Sequence, residues 1–308
     1  MSAIGWSRCT SLSIDDLPEQ PEDSYTVAFE GSRMRVKFWG VRGSTPTPQA
    51  ENLRYGGNTS CVEVRVDGQV FIFDCGTGLR VLGHQLAREF GSHPIYAHIF
   101  VSHYHWDHIQ GLPFFSPLYD NPESRFIFHS SQRVRDLRQV LDEQMAAPYF
   151  PVKMTEMKAN REFHGIEEGR TTLNNITVET TWLNHPQGCL GFRIESNEGT
   201  FVYATDNEPG NETFDKKVRQ LAHNADVLVY DSQYLPEEYE ARKRGWGHSH
   251  WREAINIVME SGAKELILFH HDPEHSDACI DTTVKEARNY YPRVRAAAEG
   301  MELKLPRS

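Results

Sequence analysis

The amino-acid sequence predicts an α+β protein in which two mixed β-sheets pack face to face and helices cover their outer faces, a four-layer αβ/βα sandwich. Two observations favour this architecture. Short apolar runs with strand-like patterning alternate with amphipathic helical segments, and the alternation occurs in two roughly equal halves of the chain. Elements that are each apolar on one face bury those faces best in stacked layers. With 308 residues, the chain can bury a large core of this kind.

The first half contains the most distinct strand and helix patterns. Residues 35–39 alternate like a strand, and residues 61–66 and 70–74 flank Asp67-Gly68, which predicts a hairpin. Apolar residues spaced three and four apart predict a helix over residues 79–90. The other predicted elements of this half are strands at 98–102 and 126–129 and a helix at 132–145.

The second half repeats the alternation, and the start of the chain departs from it. Residues 1–33 are acidic and polar, which predicts an N-terminal extension ahead of a hydrolase domain at 34–308. Within the extension, residues 25–29 are a candidate short strand. In the second half, strands are predicted at 176–182, 191–195, 200–204, 227–230 and 266–269, and helices at 213–223, 236–243, 251–261 and 282–291.

Composition argues against several function classes. The chain has 32 Lys and Arg against 43 Asp and Glu, a formal net charge of −11, so a broad basic surface for a large nucleic acid is not expected. No apolar run is long enough for a transmembrane helix, and the first 20 residues lack the pattern of a secretory signal. The 5 cysteines are scattered without a CxxC pair, which predicts the reducing cytoplasm rather than a disulfide framework.

The densest cluster of chemically active side chains follows the predicted strand at 98–102. His103, His105, Asp107 and His108 fall within six positions, and a loop leaving a strand can aim such side chains at one point. Imidazole and carboxylate ligands suit zinc, manganese or iron. A surface cluster of polar residues is the alternative, but chance assembly of this HxHxDH pattern after an apolar strand is improbable.

Three further candidate ligands stand at the ends of other predicted strands. His185, Asp206 and His270 each follow an apolar run in the second half of the chain. A polar residue at the end of a strand is common, so none of the three is informative alone. Together they supply the ligands of a two-metal centre, with Asp206 able to bridge both ions.

With these residues the sequence resembles the metallo-β-lactamase-fold hydrolases, specifically the phosphodiesterase branch that includes the tRNA 3′-processing endonuclease, RNase Z. The resemblance covers residues 34–305. It implies that His103, His105 and His185 hold one metal ion. It further implies that a second ion is held by Asp107, His108 and His270 and that Asp206 bridges the two ions. Zinc is the first choice of metal, with manganese or iron as alternatives.

The resemblance also assigns roles around the metals. His248 stands before a predicted helix and would contact the phosphate and protonate the leaving oxygen, so His248 and Asp107 are the predicted catalytic residues. Asp74 and Asp231 follow apolar strands and would accept hydrogen bonds from metal-bound histidines, with Asp231 orienting His248; capping of a turn is the alternative for each. Asn58 is a candidate phosphate contact, or it fixes a tight turn.

Several flanking stretches narrow the resemblance to one subgroup. It consists of bacterial and phage cyclic-nucleotide phosphodiesterases, which implies hydrolysis of a small cyclic nucleotide to a monophosphate by a metal-bound hydroxide. Two positions depart from the family pattern, since His250 replaces the usual Thr after Gly-His-Ser and Tyr104 replaces a small polar residue. The stretches that carry the subgroup resemblance are residues 55–61, 73–78, 108–115, 244–249 and 268–273.

Two alternative functions fit the sequence less well. RNase Z enzymes carry a long basic arm between the third histidine and the bridging aspartate, and the 21 positions from His185 to Asp206 leave no room for one. A non-catalytic regulator would lose ligands, whereas all seven are present. The sequence therefore predicts a small phosphodiester substrate, no membrane, no large nucleic acid and, from the habit of the family, a homodimer as an option.

Overall fold

A computed structural model describes residues 33–131, 136–173 and 175–306 of the chain. The predicted N-terminal extension lies outside these ranges except for its last residue, Arg33, and so does the strand considered at 25–29. The first four residues of the helix predicted at 132–145 also lie outside them. The described chain forms two seven-stranded sheets, and each half of the sequence builds most of one sheet.

The first sheet has the strand order β14-β1-β2-β3-β4-β5-β6 and mixes antiparallel pairs at one side with parallel pairs at the other. Its members are β1 (Arg35–Gly40), β2 (Cys61–Val66), β3 (Gln69–Phe73), β4 (Tyr96–Phe100), β5 (Arg125–Ser130), β6 (Asn160–Gly165) and β14 (Glu302–Lys304).

The second sheet has the order β13-β12-β11-β10-β9-β8-β7, in which β10 to β13 run parallel and β7 to β10 antiparallel. Its members are β7 (Gly169–Leu173), β8 (Ile176–Leu183), β9 (Cys189–Ser196), β10 (Gly199–Ala204), β11 (Val227–Asp231), β12 (Leu266–Phe269) and β13 (Val294–Ala296).

Helices cover the outer face of each sheet through two further apolar clusters. No helix among the described residues has both the length and the apolar character needed to cross a membrane. The helices are α1 (Gly78–Phe90), α2 (Trp106–Ile109), α3 (Pro117–Asp120), α4 (Leu137–Gln144), α5 (Glu212–Leu221), α6 (Pro236–Glu238), which continues as a π-helical turn over Tyr239–Lys243, α7 (Trp251–Ser261) and α8 (Asp277–Arg288).

The central core lies between the two sheets and is rich in aromatic rings. The Phe73 ring of β3 lies 5.4 Å from that of Phe100 in the same sheet. It also packs against Phe192, Phe201 and Tyr203 of the opposite sheet, with ring centroids 5.5 to 5.6 Å away. Contact between the two inner faces, with helices outside, makes four layers, and the predicted fold class is confirmed.

The structure corrects some element boundaries. The last helix begins at Asp277 rather than 282, because the Ser276 hydroxyl caps it by accepting from the Cys279 N–H, and it ends at Arg288. β6 and β7 are polar, half-exposed edge strands, and β13 and β14 have three residues each, so periodicity gave no signal for any of them. β4 ends at Phe100, two residues before the predicted end, which leaves Ser102 and His103 in the loop.

Replacement of Phe73 by Ala tests the central core. We expect the free energy of unfolding to fall by about 3–5 kcal/mol, because the lost ring leaves a cavity between the two sheets. Phe73→Leu should cost less, and Tyr149→Ala, which removes a side chain that is 80% exposed, should change stability by no more than about 0.5 kcal/mol. Urea unfolding followed by circular dichroism measures the difference. Equal effects of the Phe73→Ala and Tyr149→Ala substitutions would contradict this view of the core.

Candidate metal centre

The candidate functional residues lie where the carboxyl ends of the central strands of both sheets meet. β3 and β4 are parallel neighbours, as are β10, β11 and β12, so the loops after them leave at one edge of each sheet. Asp74 follows β3, His103 lies in the loop after β4, and Asp206 lies two residues beyond the end of β10. Asp231 ends β11 and His270 comes directly after β12. The packing of the two sheets brings these loops together.

Three of these residues have a backbone conformation that side-chain-bearing residues rarely adopt. Asp74, Asp206 and His270 have φ angles of 63°, 56° and 61°. A left-handed conformation costs a non-glycine residue about 1–2 kcal/mol, and such strain collects at functional sites. Each of the three turns its chain sharply just after a buried strand.

The first candidate ligand group consists of His103, His105 and His185. One nitrogen of each lies within 4.8 Å of the others. His185 donates from Nδ1 to the Gly247 carbonyl at 2.8 Å, and its Nε2 lies 3.0 Å from Nδ1 of His105. The buried Nε2 of His103 has no hydrogen-bond partner. Burial holds the pKa of His103 well below its usual value and lowers that of His185 to about 4, so both rings are neutral, as metal ligation requires.

The second candidate group consists of Asp107, His108 and His270, all buried. Oδ2 of Asp107 lies 3.1 Å from Nε2 of His270 and 3.3 Å from Nε2 of His108, and the two imidazole nitrogens are 3.2 Å apart. Three ligand atoms therefore face one another at a spacing that a single cation would satisfy. The Ser44 N–H donates to Asp107 at 2.7 Å and fixes its carboxylate.

Asp206 lies between the two groups. Its Oδ1 is 3.8 Å from Nε2 of His103, and its Oδ2 is 3.4 Å from Nε2 of His108. Burial by itself would raise the pKa of Asp206, but the imidazoles of His270, His108 and His103 hold it well below its usual value. The carboxylate is thus ionised and faces both groups, the position expected of a bridging ligand.

The charges of the site call for a cation. Burial by itself would lower the pKa of His108, yet the carboxylates of Asp206, Asp107 and Asp74 hold it well above its usual value. Buried carboxylates are stable only when paired with positive charge or a metal. The orphaned His103 nitrogen, the neutral imidazoles and the clustered carboxylates all fit divalent metal ions.

Further hydrogen bonds orient the candidate ligands. Asp74 accepts from Nδ1 of His108 at 2.8 Å, from the Ser102 N–H and hydroxyl, and from the Tyr203 hydroxyl at 2.8 Å. This leaves Nε2 of His108 directed at the centre. Tyr203 was not singled out from the sequence, because inside an apolar strand it is indistinguishable from an ordinary core residue.

Gln233 is a second contributor that sequence reasoning missed. Its Oε1 accepts from Nδ1 of His270 at 2.9 Å and so orients that ring. Its own N–H donates to Asp231, at 3.0 Å, two residues earlier in the chain. Its position just past the end of β11 is the sequence signal that would have identified it.

His248 forms a pair with Asp231 beside the metal ligands. Its Nδ1–H donates to Asp231 at 2.9 Å, and its ring stacks on His270 with centroids 4.9 Å apart. Burial opposes protonation of His248, but the carboxylates of Asp231, Asp206 and Asp107 together outweigh it and raise the pKa to about 9. The ring is therefore an imidazolium at neutral pH.

The remaining candidates have structural partners. The Asn58 amide group and backbone N–H donate to Glu299 at 3.0 and 2.6 Å, so this side chain is held by a carboxylate distant in the sequence. Nδ1 of His250 accepts from the Glu253 N–H at 3.3 Å and caps α7. Tyr104 donates from its hydroxyl to the Ser131 carbonyl at 2.9 Å.

Comparisons with known proteins identify relatives of this chain and of its fold. A family model described as "Beta-lactamase superfamily domain" matches residues 69–271. A Ribonuclease Z from Haloarcula marismortui is 28% identical over 88% of this chain and 97% of its own length. Two solved structures share the fold. The metallo-β-lactamase fold protein YhfI from Bacillus subtilis has a TM-score of 0.65 at 20% identity, covering 89% of this chain and 100% of its own. The short form of human tRNase Z has a TM-score of 0.62 at 18% identity, covering 88% and 100%.

Two substitutions distinguish a residue that binds the metal ions from one that orients a metal ligand. Asp206→Ala should abolish loading of both ions, because the candidate bridge is lost. Asp74→Asn should keep both sites but weaken metal affinity by about 10–100-fold, since His108 loses its carboxylate partner. Elemental analysis and metal titration measure both effects. Asp281→Asn, at a surface carboxylate, is the control, and full metal occupancy in Asp206→Ala would refute the bridging role.

Proposed function

The chain belongs to the beta-lactamase superfamily, and we propose that it is a two-metal phosphodiesterase that hydrolyses phosphodiester bonds of RNA. The observation that carries the proposal is the similarity to a Ribonuclease Z over 88% of this chain and 97% of that relative. The candidate ligand set supports the same chemistry, because two metal ions held close together are a recurrent device for displacement at phosphorus. The predicted resemblance and the prediction of a metal-dependent phosphoric diester hydrolase are confirmed.

The expected partners are corrected. The subgroup resemblance predicts a small cyclic nucleotide, and the net charge of −11 with the short interval from His185 to Asp206 predicts no large nucleic acid. That expectation is wrong, because the curated relatives that the chain matches are named Ribonuclease Z. Net charge averages over the whole surface, whereas phosphate binding depends on local charge. The short interval from His185 to Asp206 excludes a long basic arm at that position, but it does not prevent another part of the surface from binding RNA.

The proposed metal ligands are the two groups described above. His103, His105 and His185 would hold one ion, and Asp107, His108 and His270 the other, with Asp206 between them. When bound, the ions would supply Lewis acidity toward the phosphate and lower the pKa of water. Zinc remains the first choice for this set of imidazole and carboxylate ligands, with manganese or iron as alternatives.

His248 is the proposed proton donor. Its Nδ1–H is held by Asp231, and its pKa of about 9 keeps the ring protonated at neutral pH. The described residues give Nε2 no hydrogen-bond partner, so its N–H is free to contact a phosphate oxygen. As the bond from phosphorus to the leaving oxygen breaks, that N–H would donate its proton to the leaving oxygen, and Asp231 would stabilise the ring throughout.

Asp107 is the second proposed catalytic residue and acts through its carboxylate. Burial opposes its ionisation, but His108 and His270 hold its pKa well below the usual value. An ionised Asp107 would serve as a ligand and keep His270 in place beside His248.

The cytoplasm remains the proposed location, since the described cysteines are free thiols at 61, 75, 189 and 279.

A substrate panel tests the proposal. Protein loaded with zinc or manganese is given a precursor tRNA, a single-stranded oligoribonucleotide, a 3′,5′-cyclic nucleotide and the chromogenic diester bis(p-nitrophenyl) phosphate. We expect cleavage of RNA, seen as discrete products on a gel, together with turnover of the chromogenic diester. Turnover of the small diesters with intact RNA would overturn the proposal.

Replacement of His248 tests the proton donor. His248→Ala should lower turnover of RNA by about 10²–10⁴-fold, because a positioned general acid contributes about that much. Metal content should stay at the wild-type level, since His248 is outside the proposed ligand set. His250→Ala removes a neighbouring imidazole and is the matched control, expected to retain turnover. A His248→Ala protein with the wild-type rate would show that the proton comes from elsewhere.

A further inference from the structure

The segment leading to His248 contains an unusual combination of side chains for this acidic chain. Arg242, Lys243 and Arg244 form the only run of three consecutive basic residues in the sequence, and Gly245 and Trp246 follow directly. Trp246 is 58% exposed. A large aromatic side chain left in solvent next to basic residues is typical of a binding surface.

The backbone of this segment is built to hold the indole outward. Gly245 and Gly247 flank Trp246 with φ angles of 83° and 86°, a conformation that favours glycine. The Glu208 carboxylate accepts from both glycine N–H groups, at 2.5 and 2.8 Å. The backbone N–H of Trp246 donates to the Lys243 carbonyl at 3.2 Å. These bonds fix the backbone that carries the exposed indole.

A chain of contacts joins Trp246 to the proposed proton donor. Nζ of Lys243 lies 4.2 Å from the centroid of the Trp246 ring and 4.9 Å from that of Tyr234. The Tyr234 ring in turn meets the edge of His248 with centroids 5.9 Å apart. The indole and the ammonium group therefore lie at the margin of the candidate metal centre.

The acidic residues nearby are engaged elsewhere. Glu240 pairs with Arg244 at 2.5 Å, Glu238 pairs with His275 at 3.0 Å, and Glu208 is occupied by backbone N–H groups. Within the described ranges, neither Arg242 nor Lys243 takes part in an ion pair. Lys243 acts on Glu238 electrostatically and helps to lower its pKa, but no carboxylate pairs with the ammonium group, so it can still contact a phosphate.

We propose that Trp246 and Lys243 form a binding site for single-stranded RNA beside the metal centre. The indole would stack on a nucleobase near the scissile phosphate, and the ammonium group would contact an adjacent phosphate. Stacking on aromatic rings and salt-dependent contact with the backbone are the two components by which proteins hold single strands. The inference rests on the proposed function. It would provide a local RNA-binding surface in an acidic chain that has no room for the basic arm of RNase Z enzymes.

The stacking contact is tested with Trp246→Ala and Trp246→Phe. The quantity measured is kcat/KM for a single-stranded oligoribonucleotide divided by kcat/KM for bis(p-nitrophenyl) phosphate, which has no nucleobase. We expect this ratio to fall by about tenfold in Trp246→Ala, through a higher KM for RNA, and to recover largely in Trp246→Phe. Tyr290→Ala removes another aromatic side chain, 57% exposed, and should leave the ratio unchanged.

The charge contact is tested with Lys243→Ala. The slope of log kcat/KM for RNA against log salt concentration should become shallower by about 0.7, the value for one phosphate contact on a single strand. Lys216→Ala, at an exposed lysine of α5, is the matched control and should keep the wild-type slope.

The outcomes separate the two proposals. RNA cleavage with an unchanged ratio in Trp246→Ala and an unchanged salt slope in Lys243→Ala would overturn the binding site and leave the proposed function intact. Wild-type protein that turns over the chromogenic diester and cleaves no RNA would overturn the proposed function, and the binding site with it.

Discussion

The arrangement of the site depends on one electrostatic constraint, the burial of three carboxylates around a single imidazole. Asp74, Asp107 and Asp206 all act on His108 and hold its pKa well above the usual value, although burial opposes this. Such a cluster is unfavourable in a protein interior unless positive charge is supplied. The neighbouring imidazoles of His103 and His185 are kept neutral by burial, so the three carboxylates exceed the positive charge that a protonated His108 supplies. Divalent ions meet the requirement and explain why an acidic interior is tolerated here.

The two sheets contribute different parts of this site. The first sheet supplies the segment after β4, a loop and the short helix α2, which carries four of the candidate ligands. The second sheet supplies His185, Asp206 and His270 after three of its own strands. Neither half can assemble the site alone. The packing of Phe73 against rings of the opposite sheet therefore does more than stabilise the core, since it sets the distance between the two sets of ligands.

Local charge resolves the contrast between the acidic chain and its RNA-cleaving relatives. A net charge of −11 describes the average surface, but phosphate recognition depends on the few ångströms around the cleaved bond. There the imidazolium of His248 and the proposed metal ions would present positive charge, and Lys243 lies beyond the Tyr234 ring at the margin of the centre. Around residues 242–246, Glu240 pairs with Arg244, and Glu208 accepts from the backbone N–H groups of Gly245 and Gly247.

The sequence by itself determined the layered fold and the candidate ligands, because apolar periodicity and a dense HxHxDH motif are local signals that do not depend on distant contacts. Only the tertiary structure placed Gln233 on His270 and Tyr203 on Asp74, since these pairs join residues far apart in the chain. The bond from the Asn58 amide to Glu299 is likewise visible only in the tertiary structure, because a local motif does not show which distant carboxylate accepts a hydrogen bond from it. The polar edge strands β6 and β7 were not predicted for the same reason. Each is stabilised by pairing with a neighbouring strand, and the local sequence does not show that pairing.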